Sequence, residues 1–163
     1  MADETKTSAR NNFLTAVAAV AEGIGDKPLD PELEDWLNKH YPASEIEFQN
    51  LAGLIARGAK EGWLCEREAA GIRFGRPVKP GAEAGRFSVD VVLMDAVRGP
   101  YHRHPTGEIG MIVPVSGEPR FDGKGPGWYV YGPGSGHYPT VTGGCAFVLY
   151  LLPEGAIDFT QPS

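Results

Sequence analysis

Two cysteines in 163 residues, Cys65 and Cys145, are too few and too far apart to form a thiolate metal site, which needs closely spaced ligands. Reduced thiols in a cytosolic protein are the expectation. Positive charge is also scarce: 15 Lys and Arg against 21 Asp and Glu leave a formal net charge of −6 and a pI near 5.2. Without a dense basic face to neutralise phosphates, nucleic acid and anionic membranes are excluded as expected partners. No apolar run is long enough to span a bilayer, and the opening "MADETKTSARNN" has no apolar signal core, so the cytoplasm is the expected location. A GxGxxG turn after a strand and a P-loop are also missing, so no nucleotide cofactor is expected. A small-molecule partner remains.

The length suits one domain, or one domain with an appendage. The first twelve residues or so read as a frayed terminus. "FLTAVAAVAEGIG" then spaces Phe13, Val17, Val20 and Ile24 as one face of a helix and stops on glycine. "DPELEDWLNKHYP" predicts a second helix, with Asp30 as cap, Pro31 in the first turn and Pro42 past the end. A third starts at Ser44, where "SEIE" has the form of a capping box, and carries Phe48, Leu51, Leu54 and Ile55. From about Glu66 the composition shifts to glycine, proline, aromatics and β-branched residues. Runs such as "FSVDVVLMDAV", "IGMIVPV", "GWYVY" and "CAFVLYLL" lie between turn-forming clusters, which predicts an antiparallel sandwich or barrel. The expected division is a helical N-terminal appendage over 1–65 and a β-barrel over 66–163, with the helices packed on the barrel or forming an oligomer contact.

Of four histidines, three fall close together, in "YHRHPTGEIGMIV" and "YGPGSGHYP". On an extended strand His102 and His104 share a face, so both reach one ion. "PTG" signals a turn that returns Glu108 toward them, and His137 has to arrive on another strand. Imidazoles with one carboxylate suit divalent Fe, Mn, Zn, Ni or Co and leave coordination positions open for water or substrate. His40, far upstream in "LNKHYP", reads as a solvated side chain at a helix end.

"HRHPTGE" matches the first cupin motif, HxHxxxE, and "GWYVYGPGSGH" resembles the second, with Gly127 and Pro133 at the usual spacing. The chain departs from the pattern at four places. Ala96 stands where a leading glycine is usual, Gly117 comes two positions late, His137 comes one residue early, and Val141 or its neighbours replace an asparagine. That resemblance implies a mainly β fold with an α-helical N-terminal part, a cupin-like double-stranded β-helix or jelly-roll barrel. It also implies His102, His104, Glu108 and His137 as metal ligands. Across nearly the whole chain, "GPYHRHPTGEIGMIVPV", "FDGKGPGWYVYGPGSGHYPTV" and "YLLPEGAIDF" resemble the 4-hydroxylaminobenzoate lyase family of nitroaromatic breakdown.

The resemblance implies conversion of 4-hydroxylaminobenzoate and water to 3,4-dihydroxybenzoate (protocatechuate) and ammonia, without net redox change; a homo-oligomer is the expected assembly. The partner is then a small aromatic carboxylate. Its carboxylate calls for a guanidinium, for which Arg73 and Arg86 are the first candidates and Arg98 and Arg120 the others. Its ring calls for flat apolar walls, from Tyr101 and Tyr131 or from Trp128, Tyr129 and Tyr138. Glu108 and Tyr138 are the candidates for acid and base work. Two other readings use the same ligands: an O2-dependent cupin dioxygenase acting on a small aromatic or thiol, and a non-catalytic small-ligand-binding cupin.

Overall fold

A computed structural model describes residues 2–160, with side chains from residue 7 onward. Helix α1 (Ala2–Ile24) continues back through the residues expected to fray. The reason is that the apolar stripe extends one turn before Phe13, to the buried Ala9. Helix α2 (Pro31–His40) starts as its sequence predicts, with Asp30 Oδ1 accepting the Leu33 N–H at 2.9 Å. Helix α3 (Ile46–Glu61) does not. Its cap residue is Glu45, which makes no side-chain bond to the first turn, so the box expected from Ser44 falls one residue out of register. The helix ends at Gly62, whose φ of 88° suits glycine.

Eight strands follow: β1 (Arg67–Ala69), β2 (Ile72–Val78), β3 (Phe87–Asp95), β4 (His102–His104), β5 (Glu108–Phe121), β6 (Gly127–Tyr131), β7 (Ser135–His137) and β8 (Val141–Pro153). All pairings are antiparallel. Six strands form one sheet in the order β1-β2-β3-β8-β5-β6, and β4 with β7 forms a separate ribbon. The long strands are buried on both faces, which is why they read as continuous apolar runs rather than alternating ones. One face, with Val89, Val91, Ile109, Met111, Leu149 and Leu151, packs in a single core with Phe13, Ile24, Leu37, Phe48 and Ile55 of the helices. The other face, with Val92, Met94, Ile112, Val148 and Tyr150, packs with Phe121 and Tyr129 in a second core inside the barrel. The candidate metal ligands His102, Glu108 and His137 lie on this inner side.

Helix α2 also protects the edge of the sheet. Asn38 accepts the Trp128 N–H through Oδ1 and donates from Nδ2 to the Trp128 carbonyl, both at 2.9 Å, and Glu34 Oε1 accepts the Val130 N–H at 2.9 Å. Side chains thus occupy backbone groups of β6 that would otherwise be open to another strand. At Ala96, where the cupin pattern has glycine, φ is +44°, so the alanine takes up the left-handed backbone that glycine normally supplies. Cys65 and Cys145 are both free thiols.

Candidate metal centre

Strand β4 is only three residues long, but its alternation sets the centre: His102 and His104 are buried and Arg103 between them is exposed. Pairing of β4 with β7 places His137 opposite His102. After His104 the chain turns, with the N–H groups of Gly107 and Gly134 both donating to the His104 carbonyl, at 3.0 and 2.8 Å. Gly107 has φ +90°, and a Cβ there would run into the Tyr131 carbonyl and Leu29. Glycine lets the turn pass, and the turn delivers Glu108 as the first residue of β5.

Three imidazoles and one carboxylate converge as a result. His137 Nε2 lies 2.9 Å from His102 Nε2 and 3.2 Å from His104 Nε2. Glu108 Oε1 is 3.4 Å from His104 Nε2, and its Oε2 is 4.0 Å from His137 Nε2. One ligand atom from each of the four residues lies within 4.8 Å of every other. Burial, reinforced by the neighbouring imidazoles, holds His102 down at about 4 and His104 at about 3, while burial pushes the Glu108 carboxyl up to about 8.

This donor set fits a divalent transition metal on two grounds. Among the described residues, buried Glu108 Oε2 has no hydrogen bond of good geometry, and the buried Tyr129 hydroxyl is the neutral group near this carboxyl, so an ionised Glu108 is costly unless something of opposite charge meets it. Atoms bound at about 2.1 Å to a common ion lie about 3.0–3.4 Å from one another, and the closest separations here are of that order. A cation among these groups would favour the neutral imidazoles and the ionised carboxylate together.

The centre sits on the wall of a cavity of about 250 Å³. His102, Glu108 and His137 line it with a mostly apolar surface that includes Ile72, Phe74, Val92, Met94 and Val148. Phe159 closes one side, with its ring 5.4 Å from that of His102 and 56% of its surface exposed. It is held there by a backbone pair, Arg103 N–H to the Asp158 carbonyl at 2.7 Å and Asp158 N–H to the Arg103 carbonyl at 2.9 Å.

The remaining candidates are placed differently. Tyr138 follows His137 and so points away from the centre; it is exposed, with its ring 5.1 Å from Tyr101 and under the Arg98 guanidinium at 3.9 Å. Tyr101, next to His102, shares that outer face, where its hydroxyl fills the space that a side chain at Gly136 would need. Arg73 alternates with the cavity-lining Ile72 and Phe74, and donates instead to the Ala59 carbonyl of α3 at 3.4 Å. Arg86 lies over the Phe87 ring and donates to the Gly25 and Lys27 carbonyls. Arg120 donates to the Gly123 carbonyl. Among the described residues, the cavity lining contains no arginine or lysine. Tyr131 does stand beside the centre, its ring 5.1 Å from that of His137, but its hydroxyl donates to Asp122 at 2.7 Å.

Asp122 is the residue that the sequence left unmarked. Its Oδ2 also accepts from His137 Nδ1 at 2.6 Å, and its Oδ1 from the Thr140 N–H at 3.0 Å. Partial burial alone would raise its carboxyl, yet the bonds from His137 and Tyr131 hold it below its ordinary value. Asp-Gly after a run of strand residues reads as a hairpin turn, which it is: Phe121 and Lys124 exchange both backbone bonds at 2.8 Å around Asp122 and Gly123. Phe159 gave no periodic signal at all.

Comparison with known proteins identifies the family. The family described as PnbB, 4-hydroxylaminobenzoate lyase, matches residues 15–159. A protein named 4-hydroxylaminobenzoate lyase from Nocardioides sp. (strain LMS-CY) is 40% identical over 144 residues, covering 81% of this chain and 85% of that one. Another of the same name, from Pseudomonas putida, is 33% identical over 153 residues, covering 83% and 87%. Among solved structures, a chain from the DMSP lyases RdDddP and RnDddQII aligns over 96% of this chain and 100% of its own, at a TM-score of 0.50 and 14% identity. An RmlC-like cupin from Ralstonia eutropha aligns over 52% and 57%, at 0.41 and 12%. At 14% identity the first of these likenesses concerns the fold alone, a mainly antiparallel β fold with N-terminal helices.

Proposed function

The chain belongs to the 4-hydroxylaminobenzoate lyase family, and from that premise we propose that its barrel cavity converts 4-hydroxylaminobenzoate and water to 3,4-dihydroxybenzoate and ammonia. His102, His104, Glu108 and His137 hold a divalent transition metal in this reading. The observation that carries it is the convergence of those four ligand atoms on the wall of an apolar cavity.

When bound, such an ion supplies a Lewis acid for the hydroxylamine oxygen or for the attacking water. The protein does the rest. Ile72, Phe74, Val92, Met94 and Val148 offer flat apolar contacts to one ring, and a cavity of about 150 Å³ is known to admit benzene. Phe159 covers the ring and restricts water near His102. Glu108 would hold the ion through one carboxylate oxygen, and the other would take up or release the proton as the N–O bond breaks. Water adds to the ring carbon beside the nitrogen, the resulting imine is hydrolysed, and loss of a ring proton restores aromaticity. Atoms balance with one net water consumed and no electron acceptor. Because the lining carries no cation, the substrate carboxylate points toward the mouth and solvent, and the reacting nitrogen toward the histidines.

Turnover in labelled water, in air and without it, tests this reading. Label in both catechol oxygens, with equal rates under both atmospheres, is the expected result. Product that forms only with O2 present, or that carries no solvent oxygen, rules the lyase route out.

A further inference from the structure

We infer that Asp122 is a positioning residue: it fixes His137 as the Nδ1–H tautomer and so aims the Nε2 lone pair at the metal. The inference rests on the metal reading above and adds to it a residue that is not a ligand.

Three groups meet the two oxygens of this carboxylate: His137 Nδ1 at 2.6 Å and the Tyr131 hydroxyl at 2.7 Å on Oδ2, and the Thr140 N–H at 3.0 Å on Oδ1. A carboxylate in that setting is acceptor-only, so the proton between it and His137 belongs to Nδ1. In a neutral ring the other nitrogen is then a free lone pair, and Nε2 is the atom that faces His102 and His104. His137 needs this more than its neighbours. His102 and His104 are fixed by a buried strand, and among the described residues no side chain meets their Nδ1 atoms, whereas His137 sits at the end of β7 with its side chain 14% exposed. A hydrogen bond from the second ring nitrogen to a carboxylate orients a ligand imidazole and raises its basicity.

The alternative is that an aspartate stands here only because the turn needs a residue tolerant of positive φ, which is 50° at Asp122 and 81° at Gly123. In that case its side chain would have no reason to turn in and meet three donors. The same turn provides a clean probe. Asparagine suits the left-handed backbone at least as well as aspartate, so Asp122→Asn keeps the hairpin while removing the charge that demands Nδ1–H.

The experiment combines nitrogen NMR of labelled histidine with zinc affinity, measured by competition against a chromophoric chelator at fixed pH. In the metal-free parent His137 is expected as the Nδ1–H tautomer. Asp122→Asn is expected to lose that preference and to bind zinc about 10–100-fold more weakly. Tyr131→Phe, which removes a different donor from the same oxygen, is expected to keep the tautomer, and a loss of it there counts against a direct Asp122–His137 role. If the parent shows His137 protonated at Nε2, or Asp122→Asn leaves both tautomer and affinity unchanged, the inference is overturned while the metal centre stands. The parent measurement decides the point even if a variant fails to fold. A parent that binds no zinc overturns the metal reading and this inference together, and that failure is seen before any variant is compared.

Discussion

Glu108 is the residue on which protonation, metal and stability meet. In the metal-free protein its carboxyl is raised from 4.5 to about 8, with burial as the main cause. Between those values the unfolded chain releases a proton that the folded chain keeps, so stability is lost as pH rises from 4.5 toward 8. His102 and His104 act from the other side. Their folded values are depressed from 6.5 to about 4 and about 3, so stability is lost as pH falls below 6.5. Below 6.5 the two imidazoles outweigh the one carboxyl and above it the carboxyl acts alone, so the metal-free protein should be most stable near pH 6.5, and the Glu108 share of the slope approaches about 1.4 kcal/mol per pH unit. Glu108→Gln isolates it, because glutamine is neutral throughout. Thermal melts after metal removal should show the parent losing stability relative to Glu108→Gln from pH 5.5 to 8. With metal bound, the parent should not show that loss, since the ion favours the ionised carboxylate. A metal-free parent that gains on Glu108→Gln over that interval would contradict the burial of an uncompensated carboxyl.

At the scale of the strand and helix, alternation decides which side chains meet. The i, i+2 pattern of "HRH" was legible because a strand imposes it, and "PTG" was legible as the turn that returns Glu108. The same rule, applied to immediate neighbours, would have turned Tyr101 and Tyr138 outward and set Arg73 opposite Ile72 and Phe74. The helical third was legible from its apolar spacing and the Asp30 cap, whereas the α3 start was misread by one residue, because the helix begins after Glu45 without any side-chain cap and leaves Ser44 outside it. Asp122 was hidden by being a good turn residue. Phe159 was hidden because the Arg103–Asp158 pairing that seats it joins distant parts of the chain. Edge protection by α2 was equally invisible, since Asn38 on a helix surface reads as a solvated polar residue. It leads to a test: Asn38→Ala removes both bonds to Trp128 and should cost about 1–2 kcal/mol, a fall of a few degrees in melting temperature. It should also make the protein aggregate faster, because the β6 backbone is uncovered. An unchanged melting temperature and aggregation rate would show that water replaces Asn38 without loss.

Across the whole molecule, one sheet serves two cores, and the division of labour follows from its pleat. Residues of one parity along β3, β5 and β8 face the helices, and those of the other parity face the cavity. We propose on this basis that the helical part, 1–65, covers the sheet and supplies no metal ligand, while 66–163 carries the chemistry. Covering is nevertheless a large energetic role. Val89, Val91, Ile109, Met111, Leu149 and Leu151 are all buried against or beside the helices, and exposing six such side chains costs on the order of 10 kcal/mol. That is comparable with the whole stability of an ordinary domain. The segment 66–163 produced alone should thus retain every proposed ligand and still lack a cooperative thermal transition, bind a hydrophobic dye, and aggregate. Supplying 1–65 as a separate chain in the same cells should restore a soluble complex that binds zinc, because the missing contribution is a surface rather than a ligand. A lone 66–163 segment that melts cooperatively near the parent's midpoint and binds no dye would show that the inner core suffices, and that the helices serve some purpose other than covering the sheet.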